Sequence, residues 1–186
     1  MTPDTSPGWL LVIPRVPAEP SRHRVAVWRE LRRVGAVPAA SGAWTIPDLP
    51  AFTESLTVVR SLAEAGGGSV AVLAATSYGE DDVAVLRDAF TAARVDEWNE
   101  FVADCGKFDA EIDREVQKQK FTFGELEEEE QSLERLRRWY RDLLRRNVFE
   151  LDIAAEAAAR LERATAALAA YSERVFAANL PGTIHG

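Results

Sequence analysis

Apolar positions change their spacing along the chain, and each change marks a different kind of element. From Trp9 to Val16 the residues are apolar and β-branched, with Pro14 and Pro17 closing the run and Ala18–Pro20 forming a turn. A strand is predicted there. Ser21 is a favourable N-cap, and Val27, Leu31 and Val34 then share one helical face before Gly35, which predicts a short helix. Val37 to Ile46 holds two extended pieces around Ser41-Gly42 and ends at Pro47, the pattern of a hairpin. Residues 51–65 place Phe52, Leu56, Val59 and Leu62 at helical spacing, and Gly66-Gly67-Gly68 separates them from the apolar strand Val70 to Ala75. The order is β-α-β-β-α-β. Right-handed crossovers close such an order most economically as a ferredoxin-like, four-stranded antiparallel sheet over residues 9–76, with both helices on one face.

Beyond Ser77-Tyr78-Gly79 the period becomes helical throughout. One stripe runs through Val83, Leu86, Phe90, Trp98, Phe101, Cys105, Phe108 and Ile112. A second runs through Leu126, Leu133, Leu136, Tyr140 and Leu143, and a third through Ile153, Ala157, Leu161, Ala164, Leu168, Tyr171 and Val175. Spacings alternating near three and four predict helices packed at small angles, the last two as an antiparallel hairpin on the first. The fold class is therefore α+β: a domain over 1–79, a long three-helix coiled region over 80–180, and a loose tail over 181–186.

Charge divides the chain the same way. Of the net −8, residues 1–79 carry +1 and residues 80–186 carry −9, yet six arginines stand between Arg15 and Arg33 against only Glu19 and Glu30. Indiscriminate attraction to nucleic acid or anionic lipid is disfavoured by the total, whereas a local cationic face is not. The lone Cys105 cannot form an internal bridge, and the N-terminal residues lack a secretory apolar core, so a cytoplasmic protein is expected. No run approaches the roughly 18 apolar residues of a membrane span.

The inventory for catalysis is thin, and no enzyme activity is expected. His23 and His185 are the only histidines and neither has a ligand partner at metal-binding spacing, so no metal and no cofactor are expected. The acidic run Glu125 to Glu130 could in principle face a cation; a helix start near Gly124, complementing the dipole, accounts for it more simply. Arg137, Arg138, Arg141 and Arg145 share a sector with Glu134. They read as a solvated face with a Glu134–Arg138 pair, against the alternative of a ligand surface. The helix from Ser21 is more informative. At 100° per residue Arg22, Arg29 and Arg33 fall within about 40° of one another, opposite Val27, Leu31 and Val34. Arg32 flanks that stripe and Arg24 points towards Trp28. Aligned guanidinium groups suit successive phosphates; the alternative is a solubilising face. Cys105, on an apolar stripe, reads as a buried structural thiol.

The string WLLVIPRVPAEPSRHRVAVWRELRRVGAVPAASGAWTIPD resembles the N-terminal domain of the ChrB chromate-resistance family, and FTFGELEEEEQSLERLRRWYRDLLRRNVF resembles that family's FTFxELEExE signature. The first half is also similar to the ferredoxin-like domain of PaaX-type repressors. The resemblance implies a DNA-binding transcriptional regulator of chromate-resistance genes, with promoter DNA as partner and contacts from Arg22, Arg24 and Arg29, joined from the residues' own pattern by Arg32 and Arg33. A homodimer, formed through the sheet or the helices, is the expected assembly. Against the longer family members the chain lacks the separate C-terminal sensing domain, so the resemblance does not extend to chromate sensing by this chain. Asn147-Val148-Phe149 also departs from the family's acidic residue after Arg. The rival reading is a non-catalytic protein-interaction module on a helical scaffold, without DNA binding.

Overall fold

The computed structural model of the 186-residue chain describes residues 7–180. The described residues fall into two compact units that divide between Arg94 and Val95.

In the first unit, β1 (Trp9–Arg15), β2 (Val37–Ala40), β3 (Ala43–Pro47) and β4 (Ser69–Ala75) build an antiparallel sheet in the order β2-β3-β1-β4. The central strand β1 sets Leu10 opposite Ile46 and Ala74, and Val12 opposite Trp44 and Val72. Alternation along each strand therefore gathers Leu10, Val12, Trp44, Ile46, Val70 and Val72 on one face. Helix α1 (Ser21–Val34) packs against α3 (Leu56–Ala65), burying Val27, Leu31 and Val34 from the one and Leu56, Val59 and Ala63 from the other. Trp9 belongs to the opposite face. It meets Phe90 edge-on at 5.9 Å, and Phe90 in turn meets Phe52 at 5.9 Å. Thr45, also on that face, satisfies its hydroxyl by donating to the Leu10 carbonyl at 3.1 Å.

Local details correct two expectations here. Pro20, not Ser21, occupies the N-cap of α1, and no side-chain hydroxyl caps it. The extended Pro20 backbone aims its carbonyl at the His23 amide (3.3 Å), so the turn is closed by backbone alone. The segment 51–65 is not one helix. It breaks into α2 (Pro50–Thr53) and α3, because Ser55, Thr57 and Val58 bond three residues back, tightening the chain between them. The C-terminus of α1 matches the glycine reading: Gly35 is left-handed (φ 94°), with its amide on Arg32 O and the Ala36 amide on Leu31 O. That paired arrangement satisfies the last carbonyls of the helix.

The long helix α4 (Glu80–Gln117) contributes its residues through Arg94 to the first unit and the remainder to the second. There it joins α5 (Phe123–Arg146) and α6 (Ile153–Asn179). Trp98, Phe101, Cys105, Phe108 and Ile112 of α4 share a core with Leu126, Leu133, Leu136 and Leu143 of α5 and with Ala157, Ala164, Leu168, Tyr171 and Val175 of α6. Aromatic contacts focus it, since Phe101 lies 5.4 Å from Trp139 and 5.7 Å from Tyr140. The acidic run begins a helix, as expected, but the cap is Thr122, whose hydroxyl accepts from the Glu125 amide at 3.3 Å. Gly124 lies inside the first turn. A hydroxyl three residues before an orphan amide is the better cap, and glycine supplies none. Residues 181–186, expected as a tail, lie outside the described residues.

Candidate nucleic-acid interface

Helix α1 sorts its side chains as the wheel requires. Val27 and Leu31 are 2% and 0% exposed, while Arg22, Arg24, Arg29, Arg32 and Arg33 are all exposed. The five arginines do not have equal surroundings. Arg29 makes no hydrogen bond or ion pair among the described residues. Arg22 donates from Nε to His23 Nε2 at 3.3 Å. Arg33 holds Glu30 through two contacts, at 2.8 and 2.5 Å, and so brings its own counter-ion into the stripe. The Arg32 guanidinium stands 5.0 Å from the centre of the Trp28 ring, a cation–π contact. Arg32 and Arg33 also occupy the last turn of α1, where positive charge complements the helix dipole. Arg24 leaves the stripe altogether. It sits with Trp28 on the flank nearest the sheet, at the wall of a pocket completed by Val27, Leu31, Pro14 and Trp44.

His23, half-buried, lies beneath Gly66, where a Cβ would come within 2.7 Å of the His23 Cβ. Close packing of α1 on the end of α3 is its visible role. His185 lies outside the described residues. Among the described residues no three His, Cys, Asp or Glu side chains converge as a cation site. The Cys105 thiol is fully buried and pushed up to about 11, by burial first and then by Asp109 and Asp104, the opposite of an activated thiolate.

Three arginines of α5 are ion-paired on the surface. Glu134 binds Arg141 at 3.2 Å and Arg137 at 3.9 Å, and Arg145 binds Asp142 at 3.1 Å. The expected partner Arg138 is not among them, because the carboxylate leans to the side of the helix that Arg137 and Arg141 share. Trp139 and Tyr140, in the same helix, turn into the core. This sector is a salt-bridged, solvated face of small energetic weight.

Two core-position acids escaped the sequence reading. Glu115 follows Ile112 by three residues and Glu129 stands between Leu126 and Leu133, so both sit on the apolar stripes, and they are 2% and 7% exposed. Their place in the three-four spacing was the available signal. Glu115 is met by Lys118 at 3.3 Å and Lys120 at 3.4 Å. Burial opposes its ionised form, but those two lysines outweigh it and hold the carboxyl below its ordinary range. Glu129 has no such partner among the described residues, and burial, then Glu111, Glu115, Glu125 and Glu128, push its carboxyl above the ordinary range.

A family described as Protein ChrB, N-terminal, matches residues 24–181. Protein ChrB of Cupriavidus metallidurans is similar at 28% identity over 89 residues, which cover 48% of this chain and 27% of that protein. The match thus spans about a quarter of the relative's length. No solved structure matches the chain significantly. Among the described residues no helix is long and apolar enough to cross a membrane.

Proposed function

The chain belongs to the family of ChrB N-terminal domains, and from that membership we propose that it is a non-catalytic, cytoplasmic DNA-binding regulator associated with chromate resistance. The observation that carries the reading is the solvent face of α1, where Arg22 and Arg29 stand exposed on one stripe while the opposite face is locked into the core. Arg29, with no internal partner among the described residues, has a guanidinium available for a phosphate. Arg32 and Arg33 extend the positive surface at the helix end, and Arg24 stands at its inner flank. The succession β-α-β-β-α-β with strand order β2-β3-β1-β4 supports the ferredoxin-like class for the first unit.

The test is binding of the full chain to DNA from upstream of its own gene across a salt series. Arg29→Ala should weaken binding for all sequences alike and reduce the slope of log affinity against log salt by about 0.9, the share of one phosphate contact. Equal, salt-independent behaviour of the wild type and Arg29→Ala would overturn the reading. It would leave a protein-interaction module, which one observation favours: β4 is a sheet edge whose seven residues carry no charge, and Leu73 on it is 52% exposed. Such an edge invites another strand, and a homodimer formed there is compatible with either function.

A further inference from the structure

Arg24 and Trp28 share a flank of α1 that faces neither solvent fully nor the packed centre of the sheet. Together with Val27, Leu31, Trp44, Pro14 and Val16 they line a pocket of about 150 Å³. Leu31 is fully buried, Val27 and Trp44 nearly so, and Trp28 is half exposed. The walls are thus aliphatic and aromatic, and Arg24 is the charged group among them. Its guanidinium has no carboxylate or carbonyl partner among the described residues.

That combination restricts the occupant. A cavity of this size takes a ring as large as benzene, and two indoles offer flat apolar surfaces against which such a ring packs. A single guanidinium makes two parallel hydrogen bonds with one carboxylate. A tetrahedral dianion would have to shed water against proline, valine and leucine with Arg24 the one cation among the lining residues, since the Arg32 guanidinium is stacked on the Trp28 ring, which disfavours it. We infer that this pocket is a binding site for a small planar monocarboxylate of about benzoate size, with its ring against Trp28 and Trp44 and its carboxylate on Arg24. Four of the seven lining residues belong to α1, the helix that carries the arginine stripe. Occupancy therefore bears on the DNA-facing element directly, a consequence that rests on the DNA-binding reading, whereas the site itself does not.

Calorimetric titration of the full chain with benzoate tests the site. Saturable binding is expected with a Kd on the order of 1 mM or below. Arg24→Gln should weaken it by about tenfold or more, and Val16→Phe, which keeps Arg24 but fills the pocket, should do the same. Arg60→Gln, an exposed arginine on α3, should leave it unchanged, and sulfate should give no saturable heat. Circular dichroism of each variant confirms that it folds. Absence of saturable benzoate binding to the wild type overturns the inference. So does binding that survives both pocket variants, or sulfate binding as tight as benzoate. Benzoate binding in a chain that ignores DNA would uphold the site and sink the proposed function. DNA binding with no benzoate site would do the reverse.

Discussion

Glu115 and Glu129 occupy places where the helical stripes call for apolar side chains, and they meet that position with opposite chemistry. Glu115 is ionised against Lys118 and Lys120, so its contribution to stability is present above the ordinary carboxyl pKa and is lost as pH falls through its lowered value. Glu129 is raised; the fold prefers it protonated, and its contribution is present at low pH and lost as pH rises through its folded value. Near neutrality Glu129 is therefore a cost to the second unit. Glu129→Leu should raise the thermal midpoint at pH 7 by an amount on the order of 1 kcal/mol, because it removes a carboxylate that burial and the neighbouring glutamates disfavour. The gain should shrink as the pH approaches 4. A midpoint that falls at pH 7, or a gain independent of pH, would show that the carboxylate is stabilised by something in its surroundings. The stripe spacing marks both positions as core sites, and the lysines that meet Glu115 lie only three and five residues further along the chain, whereas no basic side chain meets Glu129 among the described residues.

At the scale of elements, the segment Phe121-Thr122-Phe123 shows how a short motif fixes a helix boundary. Phe121 packs on Tyr171 and Phe123 on Phe176, with ring centres 6.0 and 5.4 Å apart, while the Phe121 carbonyl accepts from Asn179 Nδ2 at 2.8 Å. Both rings grip α6, and Thr122 between them is left to cap α5. Thr122→Ala should therefore cost about 1 kcal/mol, measurable by chemical denaturation, and Thr122→Ser should restore most of it. Equal stability of all three proteins would mean that the ring contacts alone define the start of α5. The acidic residues that follow were readable as a helix start from composition. The cap itself was not, since Thr122 and Gly124 are both plausible until the Glu125 amide is placed. The break between α2 and α3 was hidden for a similar reason: Phe52, Leu56 and Val59 keep helical spacing across a tightened turn.

For the molecule as a whole, two separate cores make separable stabilities. Gly35 holds a left-handed conformation in the first unit, where a side chain costs roughly 1–2 kcal/mol. Gly35→Ala should accelerate hydrogen exchange in the sheet and α1 while α5 and α6 keep their protection. Uniform acceleration across residues 1–94 and 95–186 would show instead that the two cores unfold as one. The periodicities of two and near 3.6 marked the strands, the long helices and their apolar buried faces, because each of these follows from which face of an element avoids water, while the sheet order followed from the handedness of the crossovers. Gly35 as a helix terminus and the hairpin around Gly42 were equally legible, since a backbone with φ of 94° or 76° selects glycine locally. Tertiary structure decided which charged side chains meet distant segments of the chain. The wheel grouped Arg22, Arg29 and Arg33, and Glu30, one helical turn before Arg33, is a local partner; packing between distant segments set Arg24 against a pocket made with Trp44, twenty residues away. Such assignments depend on strand register and on how a helix is rotated over its sheet, and those are fixed by packing between distant segments, which no local pattern encodes.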